Sequence, residues 1–427
     1  MNPAENFRMP GKSEPYLPPE REQARRDRLK RELFNEGVLK NIGTIRADTS
    51  GIASKRDGPV DMYNMSGFAD AEVIQEQLFM AVRNLVDRGD FAVQEIQREL
   101  LQILGSELFG LPEDSEGLVL HSGSEANEAA LYLAKRATGK RLVLASNLTH
   151  QSIARACEKL GLDIITLNGD PNFLYEIPNA ELEEMLNQRG SELAAIVATA
   201  GTTQLGTSEQ FVNHPAVEKF CREEGTWLHL DAAYGGTISN LISDEYPSAI
   251  SPWLARSITV DAHKFVGVLG CSALLLPRKD DKQLIGPEAP YFPSRAAALG
   301  TTRSAFEPAV ALATMKALGR EGLKRLAHTA HERATRVANE LEKAGLKMMV
   351  PIQSGVVPIE LPSKEALEYM KTGLEQNGFL VSPVHIQGAD YEKWGIRIVV
   401  TPKAEMTNEN LSNFTSKVIE LHQAMPG

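Results

Sequence analysis

From Gly117 onward the chain repeats one unit, a short apolar run followed by a longer stretch whose apolar residues recur at three and four. Seven such runs can be marked: Gly117 to His121, Leu142 to Ala145, Asp163 to Leu167, Ala194 to Thr199, Thr226 to Asp231, Ser257 to Asp261 and Ser272 to Leu276. Strands this short and apolar, with helices between them, are buried on both faces, which requires an α/β fold built on a mostly parallel seven-stranded sheet. Parallel strands also bring their carboxyl ends to one edge, where such sheets bind ligands.

The pattern changes after a long helical stretch from Phe306 to Ala344. Runs at Lys347 to Val350, Gly355 to Glu360 and Gly395 to Thr401, with helices at Lys364 to Asn377 and at the end of the chain, predict a smaller C-terminal α+β domain. Ahead of the sheet, a proline-rich segment and the charged stretch Arg21 to Arg31 read as an N-terminal arm, followed by helices at Glu72 to Arg88 and Val93 to Phe109. The expected division is an arm over 1–60, a large domain over 61–320 and a small domain over 321–427.

A formal charge of −11 argues against nucleic acid as a partner, because phosphate backbones need a basic face. Cys157, Cys221 and Cys271 stand at unrelated spacings, which predicts neither disulfides nor a metal site. No run approaches the roughly 18 apolar residues of a spanning helix, and the N-terminus has no apolar signal core. The expectation is a cytoplasmic protein with no membrane and no metal.

Chemistry-bearing residues gather at the strand ends. Ser257-Ile-Thr-Val-Asp-Ala-His-Lys264 delivers Lys264 beside His263, and a lysine becomes a nucleophile where burial or nearby cations favour its neutral amine. Alone it reads equally well as a surface lysine. Trp227-Leu-His-Leu-Asp231-Ala-Ala-Tyr-Gly-Gly236 ends another strand with a carboxylate. A lysine for a Schiff base and an acid for a pyridinium nitrogen are the two contacts a pyridoxal phosphate ring needs. His121-Ser-Gly123-Ser124-Glu-Ala-Asn127 opens a helix: Gly123 allows close approach, Ser124 can cap, and free amides attract phosphate. His150 can stack on a flat ring or simply cap a helix, and Thr203, in Ala198-Thr-Ala-Gly-Thr-Thr203, puts a hydroxyl on the same edge or belongs to an ordinary turn.

In order and spacing these motifs resemble the pyridoxal phosphate enzymes of fold type I, the aspartate aminotransferase fold. Within it they look most like the group II amino acid decarboxylases, especially the short archaeal-type tyrosine and aspartate decarboxylases; sphingosine phosphate lyases share much of the pattern. Pro290-Tyr-Phe, Gly300-Thr-Thr302-Arg303 and Gly395-Ile-Arg397 extend the match over about residues 60 to 425. The resemblance implies that Lys264 holds the cofactor as an internal aldimine and Asp231 pairs with the ring nitrogen. His150 would stack on the ring with Ala233 on its other side, while Gly123, Ser124, His263 and Thr203 complete the cofactor site. Thr302 would reach the neighbouring subunit's phosphate, which implies a homodimer with shared sites. Arg397 would bind a substrate carboxylate, and Tyr291 would protonate the product carbon. Two positions depart from the family, Ala262 for a proline and Thr301 for a glycine.

The implied reaction is α-decarboxylation of an L-amino acid to its amine and CO2. The same ring contacts serve a carbon-carbon lyase or another α- or β-carbon reaction, and a non-catalytic cofactor-binding paralogue is the reading from another class. Side-chain specificity would lie in loops near 60–70, 285–300 and 385–395.

Overall fold

The structure is a computed structural model that describes residues 60–61, 86–87, 91–209, 211, 214–242, 254–268, 270–285, 303–304, 306–401 and 406–425. The expected N-terminal arm, Tyr291 and Thr302 lie outside the described residues. Strands β1 (Glu116–Leu120), β2 (Leu142–Ser146), β3 (Asp163–Leu167), β4 (Leu193–Thr199), β5 (Trp227–Asp231), β6 (Ser257–Asp261) and β7 (Ser272–Leu276) form one sheet in the order β1-β7-β6-β5-β4-β2-β3. Each of the seven strands expected for this sheet is present, with its ends within one residue. β7 runs antiparallel to both neighbours and the other pairings are parallel. Every residue of β4 to β7 is buried, while β3, at the sheet edge, is largely exposed.

Helix α1 (Phe91–Gln102) continues as a π-helix through Ile103–Leu108, covering the helix expected there. Most of the helix expected over Glu72 to Arg88 lies outside the described residues, but Val86 and Asp87 within it pair antiparallel with Ser304 and Arg303. A β-branched residue with a strand partner available follows the tertiary pairing rather than the local helical pattern. Helix α2 (Gly123–Thr138) lies across the sheet, its Ala126, Ala129, Ala130 and Leu133 packed with Val143, Ala195, Val197 and Trp227. Helix α3 (Gln151–Leu160) follows β2.

The long helix α4 (Phe306–Lys343) breaks at Gly319, whose φ of 58° is left-handed. Its first part joins the core of the large sheet, while Ala334, Val337 and Leu341 belong to the core of a second sheet. That sheet is antiparallel, with β8 (Lys347–Met348), β9 (Val356–Leu361), β10 (Ser382–Gln387) and β11 (Glu392–Val399) in the order β8-β9-β11-β10. Helices α5 (Lys364–Gln376) and α6 (Asn408–Gln423) cover it. β10 was not expected. It carries Pro383, which a strand tolerates at a sheet edge because no ladder partner needs its missing N–H. Among the described residues no helix is long and apolar enough to cross a membrane.

The loops after β4 and β5 cross at two glycines. A Cβ at Gly201 would lie 2.3 Å from Gly235 Cα, and Gly201 itself has a φ of +86°. Gly139, at the end of α2, has a φ of +68° but nothing within 4 Å of such a Cβ. Gly201→Ala therefore combines strain with a clash and is expected to cost more than Gly139→Ala, for which about 1–2 kcal/mol of left-handed strain is the only penalty. Urea midpoints of the two variants measure this, and equal losses would refute the crossing.

Candidate active site

Strands β1 to β6 run the same way, so His121, Ser146, Thr199, Asp231 and Asp261 arrive at one edge, where β7 begins with Ser272. Helix α2 starts there. Its cap is Ser122, whose hydroxyl accepts from the Glu125 amide at 3.2 Å, while Glu125 Oε2 accepts from His121 N–H at 3.0 Å. This corrects the assignment of the cap to Ser124, which occupies the exposed second helical position. Two serines flank Gly123, and the one in extended backbone just outside the helix is the one able to cap. The amides of Gly123 and Ser124 lie at the positive end of the helix dipole. A Cβ at Gly123 would fall 2.7 Å from both carboxylate oxygens of Asp261, so only glycine lets the helix end approach that acid.

A short helical turn, Ala262–Phe265, follows β6 and places Lys264 one turn beyond Asp261. Lys264 Nζ is 2.9 Å from Asp261 Oδ2, and the Ser272 hydroxyl donates to Oδ1 at 2.6 Å. The lysine side chain is 26% exposed, whereas Asp261 is buried. His263 donates from Nδ1 to the Cys271 carbonyl at 3.1 Å and holds Nε2 3.6 Å from Asp261 Oδ2.

Asp231 ends β5 at 4% exposure. Its Oδ2 accepts from Asn127 Nδ2 at 2.8 Å and its Oδ1 from the Ala233 amide at 3.2 Å. Asn127 Nδ2 also donates to Ser152 Oγ at 2.9 Å, and Ser152 Oγ is 2.8 Å from His150 Nδ1. His150 is thereby both the N-cap of α3 and a neighbour of the site. Burial holds its pKa below the ordinary histidine value, against the opposing charge of Asp231, with Lys264 adding to the depression. On the other side of Asn127, His229 Nε2 is 3.0 Å from Oδ1; His229 Nδ1 and Trp227 Nε1 both reach Ser257 Oγ, at 2.8 and 2.7 Å. Burial pushes His229 down to about 4. The sequence reading left Asn127, Asp261, His229 and Ser257 without roles. One signal was present, since Trp227, His229 and Asp231 alternate and so share a strand face.

Arg397, on β11, reaches across from the second sheet and donates from Nη1 to the Thr203 carbonyl at 2.5 Å. The guanidinium is half-buried and burial lowers its pKa to about 10. Among the described residues no carboxylate lies within ion-pair distance of it. Of the expected site residues described, Gly123, Lys264, Asp231, Ala233 and His263 come together at the sheet edge with His150, and Thr203 joins Arg397 at the seam between the two sheets.

Residues 121–357 match the model of the pyridoxal-dependent decarboxylase conserved domain. The chain belongs to this family. A relative from Methanopyrus kandleri, a probable L-tyrosine/L-aspartate decarboxylase, is 29% identical over 320 residues, which cover 72% of this chain and 80% of the relative. Among solved structures, the Oryza sativa TDC with PLP and tryptamine superposes with a TM-score of 0.74 at 19% identity, covering 86% of this chain and 84% of that one. The Burkholderia pseudomallei sphingosine-1-phosphate lyase gives the same TM-score, 0.74, at 16% identity over 98% and 94% of the two chains. Those two likenesses concern the fold, which is fold type I as the sequence motifs implied.

The pyridoxal-dependent decarboxylase family takes pyridoxal phosphate, and the residues here fit it. Asp231 is a buried carboxylate whose described donors are all neutral, an arrangement that is costly unless a cation or dipole compensates it. A protonated ring nitrogen is such a cation.

His229 gives this decarboxylase-family chain a pH dependence that can be measured. An unfolded histidine takes up its proton near pH 6.5 and the folded one near 4, so within that window the unfolded chain binds more protons. Stability contributed by His229 is therefore present above about pH 6.5 and lost as pH falls toward 4, by about 3 kcal/mol in all. Urea unfolding of the wild type and His229→Gln across this range should show the extra loss in the wild type alone; parallel profiles would contradict it.

Proposed function

We propose that this protein removes the α-carboxylate of an L-amino acid as CO2, with Lys264 carrying pyridoxal phosphate at the sheet edge. Membership of the pyridoxal-dependent decarboxylase family supports the reaction. The observation that carries the site is Asp231, buried with neutral donors at the same edge as Lys264. When bound, the cofactor supplies a protonated ring that draws off the electron pair left as CO2 departs.

Each described residue then has a task. Asp231 would face the ring nitrogen and keep its proton in place. His150 would lie against the ring, and an imidazole held neutral by burial adds no positive charge beside a cationic ring. Ala233 would pack on the opposite face, where a small side chain leaves room. The amides of Gly123 and Ser124 would bind the phosphate at the helix end, with His263 adding a side-chain contact, and Thr203 would contact the cofactor from the seam beside Arg397. Covalent attachment would use Lys264 Nζ, which Asp261 Oδ2, 2.9 Å away, positions at the sheet edge. Arg397 would bind a substrate carboxylate, since a planar guanidinium with one donor committed to a carbonyl retains others for a second acceptor. Tyr291 would return a proton to the substrate carbon, and Thr302 would reach the phosphate of a second copy in a homodimer; both assignments rest on the sequence resemblance.

The carbon-carbon lyase alternative is not favoured, because the lyase likeness is one of fold while the decarboxylase likeness includes the family model and 29% identity. Screening L-amino acids for CO2 release tests the proposal directly, and no CO2 from any of them would end it. Lys264→Ala is expected to reduce CO2 release to background and to remove the borohydride-trapped cofactor from the peptide containing residue 264. Trapping at another lysine would overturn the assignment. Arg397→Ala is expected to raise KM by at least about tenfold with a smaller change in kcat, as for a group that binds ground and transition states alike; an unchanged KM would move the substrate carboxylate elsewhere.

A further inference from the structure

We propose that Asn127 is a positioning residue that sets Asp231 and His150 as one unit, and that His229 fixes the direction in which Asn127 acts. The inference rests on the reading in which those two residues contact the cofactor ring.

The hydrogen-bond directions follow from the chemistry of each group. Trp227 Nε1 only donates, so Ser257 Oγ accepts from it at 2.7 Å. The Ser257 hydrogen is then available to His229 Nδ1, 2.8 Å away, which leaves His229 with its proton on Nε2. That N–H points at Asn127, 3.0 Å away, and requires an oxygen there, so the Asn127 amide has its Oδ1 toward His229. Its NH2 group faces the other way and spends one hydrogen on Asp231 Oδ2 at 2.8 Å and the other on Ser152 Oγ at 2.9 Å. Ser152 can in turn donate to His150 Nδ1 at 2.8 Å. The opposite amide orientation would set Oδ1 against a carboxylate and NH2 against an N–H, losing the bonds at both ends.

One amide therefore holds the acid and, through one hydroxyl, the imidazole. Asn127, Asp231 and His229 are all buried, so water does not replace a lost partner. The register supports this arrangement: His229 pairs with Ser257 across β5 and β6, and α2 packs on the face of the sheet that carries Trp227. Burial, which keeps His229 neutral, preserves the single hydrogen pattern over the range where an enzyme of this kind works.

The test uses four variants saturated with pyridoxal phosphate, with Asp231→Ala as a control. Asn127→Asp keeps the shape and replaces the donor by an acceptor facing Asp231, and Asn127→Ala removes all three hydrogen bonds of the side chain. Each is expected to lower kcat for CO2 release by about 10- to 100-fold, the size of a lost charge-assisted hydrogen bond, with KM changing less than kcat. The cofactor dissociation constant, read by reconstituting cofactor-free protein, should rise, and the visible absorption of bound cofactor should shift. His229→Leu removes the N–H that orients the amide, while His229→Gln supplies one; the glutamine variant should recover most of the leucine variant's loss in kcat and in cofactor affinity. Wild-type turnover, affinity and spectrum in Asn127→Ala would overturn the proposal, as would equal losses in the two His229 variants, which would indicate packing alone. Impaired Asp231→Ala with normal Asn127→Ala would refute only this inference. Full turnover in Asp231→Ala would refute the ring-nitrogen reading and the inference with it.

Discussion

A carboxylate shut away from water must be given hydrogen bonds, and at Asp231 that demand organises the centre of the molecule. One donor comes from its own loop, the Ala233 amide, and the other from Asn127 on a helix packed over the sheet. An amide that donates to an acid still has an oxygen to satisfy, which brings in His229, then Ser257, then Trp227. The series continues structurally beyond the indole, because the Arg256 guanidinium lies 4.1 Å above the Trp227 ring and is itself held by Asp281. The ligand edge of the sheet is thus tied to its interior by side chains whose polar groups each complete the next. Glu209 makes a second such tie, joining the ends of β2 and β4 through Ser146 and the Thr199 amide, and burial raises it to about 7.

The large sheet was legible because its central strands are buried on both faces, so apolar runs such as Ala194 to Thr199 stand out without any need for alternation. β10 was not, because Ser-Pro-Val-His-Ile-Gln carries a proline that argues against a strand, and its alternation rests on two apolar residues, Val384 and Ile386. Asp231 and Lys264 could be found as isolated polar residues at the ends of apolar runs. Asn127 could not, since an asparagine near a helix start is ordinarily a cap or a solvent-facing residue, and its task is defined by partners about a hundred residues away. His229 was hidden inside Leu-His-Leu, where it reads as part of a strand. The Ser122 and Ser124 exchange reflects a helix start uncertain by one or two residues, which a sequence cannot fix.

Of the two departures from the family pattern, Thr301 lies outside the described residues and Ala262 lies at the site. Ala262 opens the short helical turn that presents Lys264, a first-turn position that suits proline through its fixed φ and missing N–H. Alanine, the strongest helix former, adopts the same conformation, so the lysine is presented equally well. The fold itself is shared by decarboxylases and a sphingosine-1-phosphate lyase at the same TM-score, which leaves reaction choice to groups around the sheet edge rather than to architecture.

The grip of Arg397 on Thr203 has a consequence for altering specificity. The guanidinium is anchored by a main-chain oxygen, so exchanging the side chain at position 203 leaves the anchor intact. Ser354 and Gln353 likewise bind the main chain of the same loop, at Gly206 and Ser208, beside an apolar cluster in which Leu148 and Leu205 meet Met349 and Val350. A change in where the arginine points must then come from altering loop length or from tilting one sheet against the other. Laboratory selection for a new substrate should accordingly favour insertions, deletions and glycine or proline exchanges along the seam over simple point changes in its side chains.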